Sequence, residues 1–213
     1  MLSHSISNAT APAPAGPVAL LLLAAGASTR MGQPKQLLPY HGHTLLRHAA
    51  ETAVASGCAP LVLVTGALHE ALVAEISDLP IQAIHNPDWE TGMASSIRAG
   101  LAAIAGTRPT AVLIMLSDQP LVTPELLREL MARQQQTQAP IVAAAYGDTL
   151  GVPAIFAQAL LPALLQLQGQ QGAGRLIASR GAAVERVSFP AGLLDVDTPE
   201  QYAALLKNPP YKP

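Results

Sequence analysis

The feature that most constrains the fold of this chain is the alternation of short apolar runs with amphipathic segments between residues 18 and 206. The apolar runs are continuous and lack the polar alternation of a half-exposed strand, which is typical of parallel strands covered on both faces. Segments with helical periodicity separate them, as the crossovers of a parallel sheet require. We therefore predict an α/β fold with a mostly parallel central sheet and helices on both faces.

The pattern gives definite expectations for each element. The predicted strands are 18–24, 61–65, 81–85, 111–116, 141–145 and 184–189. The predicted helices are 44–55, 68–76, 94–105, 124–135, 157–167 and 199–206. Thr123 and Thr198 each precede a Pro-Glu pair, which is typical of an N-cap followed by proline at the first helical position. In sheets of this kind ligands bind beyond the carboxyl ends of the strands, so a site is expected in the loops there.

The composition of the chain argues against a nucleic-acid partner and against an internal disulfide. The 213 residues include 12 Lys and Arg against 14 Asp and Glu, a net charge of −2, and only 3% of them are aromatic. A nucleic-acid partner is not expected, because the chain has neither a cluster of cations for a phosphate backbone nor enough aromatic residues to stack bases. The single cysteine, Cys58, cannot form an internal disulfide, which fits a reducing compartment.

The chain is expected to form one domain. Residues 1–17 are rich in Ala, Pro and Ser, which predicts a disordered leader, residues 18–206 carry the strand and helix pattern, and residues 207–213 form a short tail. The apolar run 18–25 is too short to span a bilayer. It is not expected to be a signal peptide either, because no Lys or Arg precedes it to form the positively charged region that a signal peptide has. We expect a cytoplasmic protein with no membrane partner.

The loop after the first predicted strand has the composition of a phosphate site. Small residues at 24–28 allow backbone N–H groups to approach a phosphate closely, and Arg30 and Lys35 add two cations that could clamp a triphosphate. The patterns of a P-loop and of a dinucleotide fingerprint are both missing, and the second strand ends at Thr65 without the acidic residue that binds ribose in NAD enzymes. An ordinary basic surface loop is the alternative interpretation.

Aspartates follow two other parts of the pattern. Asp118 comes just after a buried strand, where a carboxylate is costly unless it is paired or bound to a metal. Asp195 and Asp197 precede the last helix, and strand-like alternation would direct them to the same side. Mg²⁺ prefers one or two carboxylates together with phosphate oxygens and water. The alternatives are that Asp118 is a turn residue and that Asp197 belongs to a helix N-terminus.

Five ordered blocks carry a resemblance to a known family. They are LAAGASTRMGQPKQLLP at 23–39, NPDWETGMASSIRAGL at 86–101, LSDQP at 116–120, GVPAIF at 151–156 and DVDTPEQY at 195–202. Together they resemble the nucleotidyltransferases related to molybdenum cofactor cytidylyltransferase. The resemblance implies a three-layer Rossmann-like nucleotidyltransferase fold and an enzyme that uses Mg²⁺ and a nucleoside triphosphate.

The resemblance also implies roles for particular residues. Asp118 and Asp197 would hold Mg²⁺, with Asp195 as a weaker candidate, and the catalytic residues would be Lys35, Arg30 and Asp118. The nucleotide-binding residues would be Ala24, Ala25, Gly26, Arg30, Lys35, Thr65, Gly92 and Ser96, of which Gly92 and Ser96 would lie near the base. For Ser95 helix capping is the alternative, and Trp89 is either a packing residue or a ligand contact. Arg98 is expected to face solvent.

The form of the blocks favours CTP as the nucleotide. Guanylyl-transferring relatives typically carry Gly-Gly at Ala25-Gly26 and Asp-Lys at Pro34-Lys35, and the isoprenoid-pathway cytidylyltransferases carry Asp-Ala-Ala-Arg-Pro at 117–120. The implied reaction transfers CMP to the terminal phosphate of molybdenum-molybdopterin and releases pyrophosphate. The segment Gly169–Arg175 departs from the Gly-Asp-Lys-Gly-Ala-Arg pattern of the acceptor half, which leaves a different acceptor open.

Other functions on the same fold stay open at this point. One is a guanylyl, sugar-phosphate or isoprenoid-type nucleotidyltransferase. Another is a non-catalytic accessory protein that binds a nucleotide or cofactor and delivers it to a molybdoenzyme or its chaperone. Nucleotide preference separates the first from the cytidylyl reaction, and nucleotide binding without pyrophosphate release would distinguish the second.

Overall fold

The computed structural model describes residues 16–207. The strands are β1 Val18–Ala24, β2 Pro39–Tyr40, β3 His43–Thr44, β4 Leu61–Thr65, β5 Gln82–His85, β6 Ala111–Leu116, β7 Ile141–Tyr146, β8 Thr149–Ala157 and β9 Val184–Ser188. The helices are α1 Leu45–Ala55, α2 His69–Glu75, α3 Met93–Ile104, α4 Pro124–Thr137, α5 Leu161–Leu165, α6 Ala173–Arg180 and α7 Pro199–Lys207. Most of the predicted leader and all but the first residue of the predicted tail lie outside the described residues.

The main sheet confirms the predicted α/β class. Its strand order is β5-β4-β1-β6-β8-β7-β9, and within the described residues only β8 runs antiparallel to its neighbours. The carboxyl ends of the other strands therefore meet at one edge, together with the loop that enters β8. This edge carries the segments that follow β1, β5 and β6, where the sequence predicts a binding site.

The sheet lies between two apolar cores, which makes three layers. Leu20 of β1 packs on one face with residues of α1 and α4. Leu21, the next residue, packs on the other face with residues of α3 and α6. Both leucines are fully buried, and burying a leucine side chain contributes about 1.5–3 kcal/mol. This alternation explains why the predicted strands are apolar at every position.

A third, smaller core connects the loop after β1 with the last helix. Met31 and Tyr40 pack there against Val196 and Leu205. The backbone N–H of Val196 also donates to the carbonyl of Asp118, with N and O 3.0 Å apart. These contacts bring three segments that are far apart in sequence to the same edge of the sheet.

The helix starts marked by threonine are confirmed. The hydroxyl of Thr123 accepts a hydrogen bond from Leu126 N, and that of Thr198 accepts one from Gln201 N, both at 3.3 Å. The bounds of most predicted elements differ from the structure by one or two residues. Within the part of the chain that is described, no helix is long and apolar enough to cross a membrane.

In the second half of the chain the sequence pattern missed β8 and α6, and the helix that it predicts at 157–167 has different bounds. The predicted helix 157–167 is shorter and less regular in the structure, because β8 extends to Ala157, Gln158–Leu160 form a 3-10 helix and α5 covers only Leu161–Leu165. Residues 149–157 form a strand that the pattern does not predict, since Pro153 lies inside it. The register with β7 shifts opposite Pro153, between Ala143 and Ala144, which is how a strand accommodates proline. Helix α6 was also not predicted.

Candidate active site

A cleft of about 290 Å³ opens at the carboxyl edge of the sheet. It lies between the loop after β1, the N-terminus of α3 and the end of β6. The residues that line it are Leu23, Ala24, Ala25, Gly26, Lys35, Gln36, Trp89, Glu90, Gly92, Met93, Ser96, Leu116, Ser117, Asp118 and Gln170. Most of the residues that the sequence predicts for a nucleotide site are in this group.

The loop after β1 is held in shape by Gln36. Its side-chain amide donates to the carbonyl of Gly26 at 2.7 Å and to that of Ala24 at 3.3 Å. Its amide oxygen accepts from the hydroxyl of Ser28 at 3.0 Å, and that hydroxyl oxygen accepts from Lys35 N at 3.2 Å. Gln36 is 2% exposed, so these bonds are shielded from water. The loop therefore presents its backbone to the cleft in a fixed conformation.

Sequence reasoning did not identify Gln36. The only signal available was a polar residue between Lys35, which drew attention to the loop, and the apolar pair Leu37-Leu38. A glutamine in that position is equally compatible with an exposed surface. Its function depends on carbonyl groups whose directions are set only when the loop has folded.

One ammonium group joins two of the predicted metal-binding aspartates. Lys35 Nζ lies 2.7 Å from Asp197 Oδ1 and donates a short hydrogen bond to Asp118 Oδ2. Arg30 Nη2 lies 2.7 Å from Asp197 Oδ2 and extends the network to the surface. The side chains of Lys35 and Asp118 are each 15% exposed, and that of Arg30 is 73% exposed. The structure thus brings together Arg30, Lys35, Asp118 and Asp197.

The charges in this network act on one another. Burial alone would lower the pKa of Lys35, but Asp118 and Asp197 outweigh it and raise that pKa above its usual value. Burial would likewise raise the pKa of Asp197, but Lys35 and Arg30 outweigh it and hold that pKa below its usual value. The network therefore favours a protonated lysine beside an ionised aspartate.

Asp197 does not cap the last helix. The cap is Thr198, and Gln201 Oε1 accepts hydrogen bonds at 2.9 Å from the backbone N–H groups of Asp197 and Thr198. The carboxylate of Asp197 is therefore free of the helix and points to Lys35 and Arg30. Of the two interpretations that the sequence allows, the geometry supports the site and not the helix N-terminus.

The chemistry of Asp118 and Asp197 fits a divalent cation. One oxygen of Asp118, Oδ1, is buried without a hydrogen-bond partner, and the Lys35 ammonium already lies between the two carboxylates. Among residues 16–207, no group of three or more Asp, Glu, His and Cys side chains could surround a metal. Two carboxylates would leave the other positions to phosphate oxygens and water, which is how Mg²⁺ is commonly bound beside nucleotides.

Asp195 has a different environment from Asp197. Its Oδ1 accepts a hydrogen bond from Gln119 Nε2 at 3.2 Å, and the same amide nitrogen donates to the carbonyl of Val152 at 3.1 Å. Burial and the nearby charge of Asp118 raise the pKa of Asp195. Asp195 does not take part in the ion pairs with Lys35, so it lies beside the network and not within it.

The N-terminus of α3 forms the opposite wall of the cleft. Asn86 is buried, and its amide donates to the hydroxyls of Ser95 at 2.8 Å and Ser96 at 3.0 Å. Ser95 donates to backbone carbonyls, including that of Gly92 at 2.8 Å, so its hydroxyl is used inside the protein. Ser96 accepts from Asn86 and lines the cleft, which leaves its O–H group able to donate to a ligand.

Thr65 and Arg98 have structural surroundings. Thr65 is fully buried, and its hydroxyl donates to the carbonyl of Ile84 at 2.9 Å and contacts His69 Nδ1 at 2.6 Å. It is not among the residues that line the cleft. Arg98 does not simply face solvent, because its guanidinium donates to the carbonyl of Leu167 at 2.7 Å. The sequence could not predict that bond, which depends on where the segment before α6 packs.

Known proteins share this fold and these segments. A family model described as "MobA-like NTP transferase domain" matches residues 20–185. Nicotine blue oxidoreductase of Paenarthrobacter nicotinovorans is 36% identical over 197 residues, 87% of this chain and 95% of that protein. Molybdenum cofactor cytidylyltransferase of Escherichia coli K12 is 33% identical over 114 residues, 52% of this chain and 56% of that protein.

The fold of this chain is also similar to that of a solved structure. Rv0371c from Mycobacterium tuberculosis H37Rv, in a crystal structure described as a complex with manganese, aligns with a TM-score of 0.77 at 30% identity. The alignment covers 91% of this chain and 100% of that chain. The family match includes Lys35 and Asp118, whereas Asp197 lies beyond its end.

Proposed function

The chain belongs to the MobA-like NTP transferase family, and on that premise we propose that it transfers CMP from CTP to a phosphate-bearing small molecule such as molybdenum-molybdopterin. Pyrophosphate is the second product. The observation that carries the proposal is the shared contact of Lys35 with Asp118 and Asp197 at the mouth of a cleft lined by Ala24, Ala25 and Gly26. Cations, carboxylates and a loop of small residues that lines the cleft meet there, as binding of a metal–triphosphate complex requires.

The reaction needs little from the protein beyond positioning. An oxygen of the acceptor phosphate forms a bond to the α-phosphorus of CTP, and the bond from that phosphorus to the bridging oxygen of the β-phosphate breaks. A phosphate monoester is already an anion near neutral pH, so no general base is required. The catalytic task is to align the two phosphates and to stabilise the charge that develops between them.

The residues of the cleft divide this task. Asp118 and Asp197 would hold Mg²⁺, which when bound neutralises negative charge on the phosphate oxygens. Lys35 would turn from the carboxylates to the α-phosphate, and Arg30 would bind the departing β- and γ-phosphates. The fixed backbone of Ala24–Gly26 would position the nucleotide by hydrogen bonds.

Two observations support CTP and a molybdopterin-type acceptor. The Ala24-Ala25-Gly26 and Pro34-Lys35 sequences resemble the cytidylyl branch of these enzymes. The E. coli relative that is 33% identical over about half the chain is a molybdenum cofactor cytidylyltransferase. A guanylyl or sugar-phosphate transferase, or an accessory protein without catalysis, would use the same cleft in a different way.

A second candidate function comes from the relative that covers 87% of the chain and is named nicotine blue oxidoreductase. The two functions are separable in one set of assays. Purified protein is incubated with CTP, Mg²⁺ and molybdenum-molybdopterin, and pyrophosphate release is followed; in parallel, oxidation of NADH and NADPH is followed with a dye acceptor. Pyrophosphate release that is lost in Asp118→Asn supports the proposal. Dye reduction without pyrophosphate release replaces it with the oxidoreductase.

A further inference from the structure

The segment before α6 is part of the cleft wall. Gly92, at the N-terminus of α3, has a φ of +116°, and a Cβ built on it would lie 2.2 Å from the carbonyl oxygen of Gly169. That oxygen accepts a hydrogen bond from Ala94 N at 3.1 Å. The loop 168–172 therefore packs directly on the backbone of the block that family resemblance places near the nucleobase.

Further contacts fix the two ends of this loop. Arg98 Nη1 donates to the carbonyl of Leu167 at 2.7 Å, just before the loop. At the other end, a Cβ on Gly172 would lie 2.4 Å from Met93 Sδ, so the two residues are in close contact. The sequence associates 169–175 with the acceptor, but the structure packs 169–172 against the nucleotide wall. The loop is thus tied to α3 on both sides of Gln170.

Only one of the three glutamines in the loop lines the cleft. Gln168 and Gln171 bond to each other, since Gln171 N donates to the carbonyl of Gln168 at 3.0 Å and Gln171 Oε1 accepts from Gln168 N at 3.2 Å. Gln170 lies between them and is a cleft-lining residue beside Gly92, Met93 and Ser96. The turn that joins its neighbours therefore presents Gln170 to the cleft.

We propose that Gln170 contacts the edge of the nucleobase and helps to set nucleotide preference. The inference rests on the proposed function. The charged residues Lys35 and Asp118 mark the phosphate end of the cleft, so the wall formed by Gly92, Ser96 and Gln170 faces the base. A carboxamide carries both a donor and an acceptor, so it can accept from the N4 amino group of cytosine or donate to N3 and O2.

The experiment compares three substitutions by direct titration of CTP and UTP in the presence of Mg²⁺. Gln170→Ala removes the amide, and we expect CTP affinity to fall about tenfold, as for loss of one base-edge contact. Gln168→Ala is the matched control, and we expect unchanged affinity because Gln168 contacts Gln171 through its backbone N–H and carbonyl groups, which the substitution keeps. Gln170 is an exposed loop residue, so both variants are expected to fold.

Gln170→Glu gives a readout that does not depend on overall affinity. A carboxylate can still accept from N4 of cytosine, but it cannot donate to O4 of uracil. Its repulsion of the triphosphate weakens both nucleotides equally, so the ratio of CTP to UTP affinity is the informative quantity. We expect that ratio to rise about tenfold relative to the wild type.

The outcomes separate the inference from the function on which it rests. Wild-type protein that binds no nucleoside triphosphate overturns the proposed function. Wild-type protein that binds CTP, with Gln170→Ala equal to Gln168→Ala and an unchanged ratio in Gln170→Glu, overturns the role of Gln170 alone. A lower affinity confined to Gln170→Ala, together with a shifted ratio in Gln170→Glu, supports it.

Discussion

Lys35 Nζ lies 2.7 Å from Asp197 Oδ1 while it also donates to Asp118, so a single ammonium joins two segments that are far apart in the sequence. A divalent cation at these carboxylates would compete with the ammonium for the same oxygens. Lys35 balances the charge of the aspartates in the structure, and in the proposed reaction it would turn to the phosphates when a metal takes its place.

Lys35→Met is expected to make the protein more dependent on metal for stability. Removal of an exposed loop lysine usually changes stability little. The side chain of Lys35, however, is only 15% exposed and lies between two carboxylates. We expect the free energy of unfolding of the variant to fall by about 1–3 kcal/mol, since two partly buried carboxylates lose their shared partner. Thermal unfolding with and without Mn²⁺ should show a larger rise in Tm for Lys35→Met than for the wild type.

A matched control for this experiment is Lys207→Met, at the exposed end of α7. It should respond to Mn²⁺ as the wild type does. An equal rise in Tm for Lys35→Met and the wild type would show that Lys35 and the metal do not share the carboxylates.

Two glycine substitutions should have opposite effects. Gly92→Ala forces a Cβ onto the backbone of Gly169 at a φ of +116°. We expect the free energy of unfolding to fall by about 2–4 kcal/mol and nucleotide binding to be lost as well. Gly174→Ala, in helix α6, meets nothing within 4 Å and should stabilise the protein by about 0.5–1 kcal/mol. Urea unfolding of both variants measures the difference. A neutral Gly92→Ala would mean that the loop 168–172 is not fixed against α3.

Gln36→Leu should lower both the stability of the protein and its affinity for CTP, although it changes no charged residue. The carbonyls of Ala24 and Gly26 and the hydroxyl of Ser28 lose a buried partner, which is expected to cost about 1–3 kcal/mol. Because these groups shape the loop, CTP affinity should fall as well. Calorimetric titration at a temperature where the variant is folded checks this, and Gln135→Leu on α4 serves as a control outside the cleft. Unchanged CTP affinity in Gln36→Leu would separate this residue from the site.

His48 should make stability fall between pH 7 and pH 5. Its Nε2 donates to the carbonyl of Pro120 at 2.9 Å, and burial lowers the pKa of the imidazole despite that bond. The unfolded chain therefore takes up a proton near pH 6.5 before the folded protein does, so the free energy of unfolding decreases as the pH falls.

Urea unfolding at pH 7, 6 and 5 measures this slope. His48→Gln keeps a donor for Pro120 but does not titrate, and we expect a shallower decrease. A slope that is the same in His48→Gln as in the wild type would assign the pH dependence to other groups.

The sequence predicts the first half of the fold well because that half obeys simple rules. Strands β1, β4 and β6 are apolar runs that lie between two helical layers, so their pattern and their burial agree. The same rules fail at β8, where Pro153 sits in a strand at a register shift. They fail again at α6, since Gly172 and Gly174 weaken the helical pattern at its start.

The clustering of charged residues in the candidate site could be predicted from residue type and position. Lys35, Asp118 and Asp197 follow strands or precede a helix at one edge of the sheet, and the structure brings them together. Gln36 and Gln170 could not be identified in the same way. Their roles depend on which carbonyl or cleft their amides reach, and tertiary packing decides that.

In the proposed function, Asp118 and Asp197 bind a metal together with a nucleoside triphosphate. The most direct test is calorimetric titration of CTP into the wild type, Asp118→Asn and the control Asp148→Asn, with Mg²⁺ and then with EDTA. We predict that CTP binds the wild type and Asp148→Asn in Mg²⁺, and that EDTA or Asp118→Asn weakens binding at least about tenfold. Equal CTP affinity in Asp118→Asn and the wild type, unaffected by EDTA, would contradict the account.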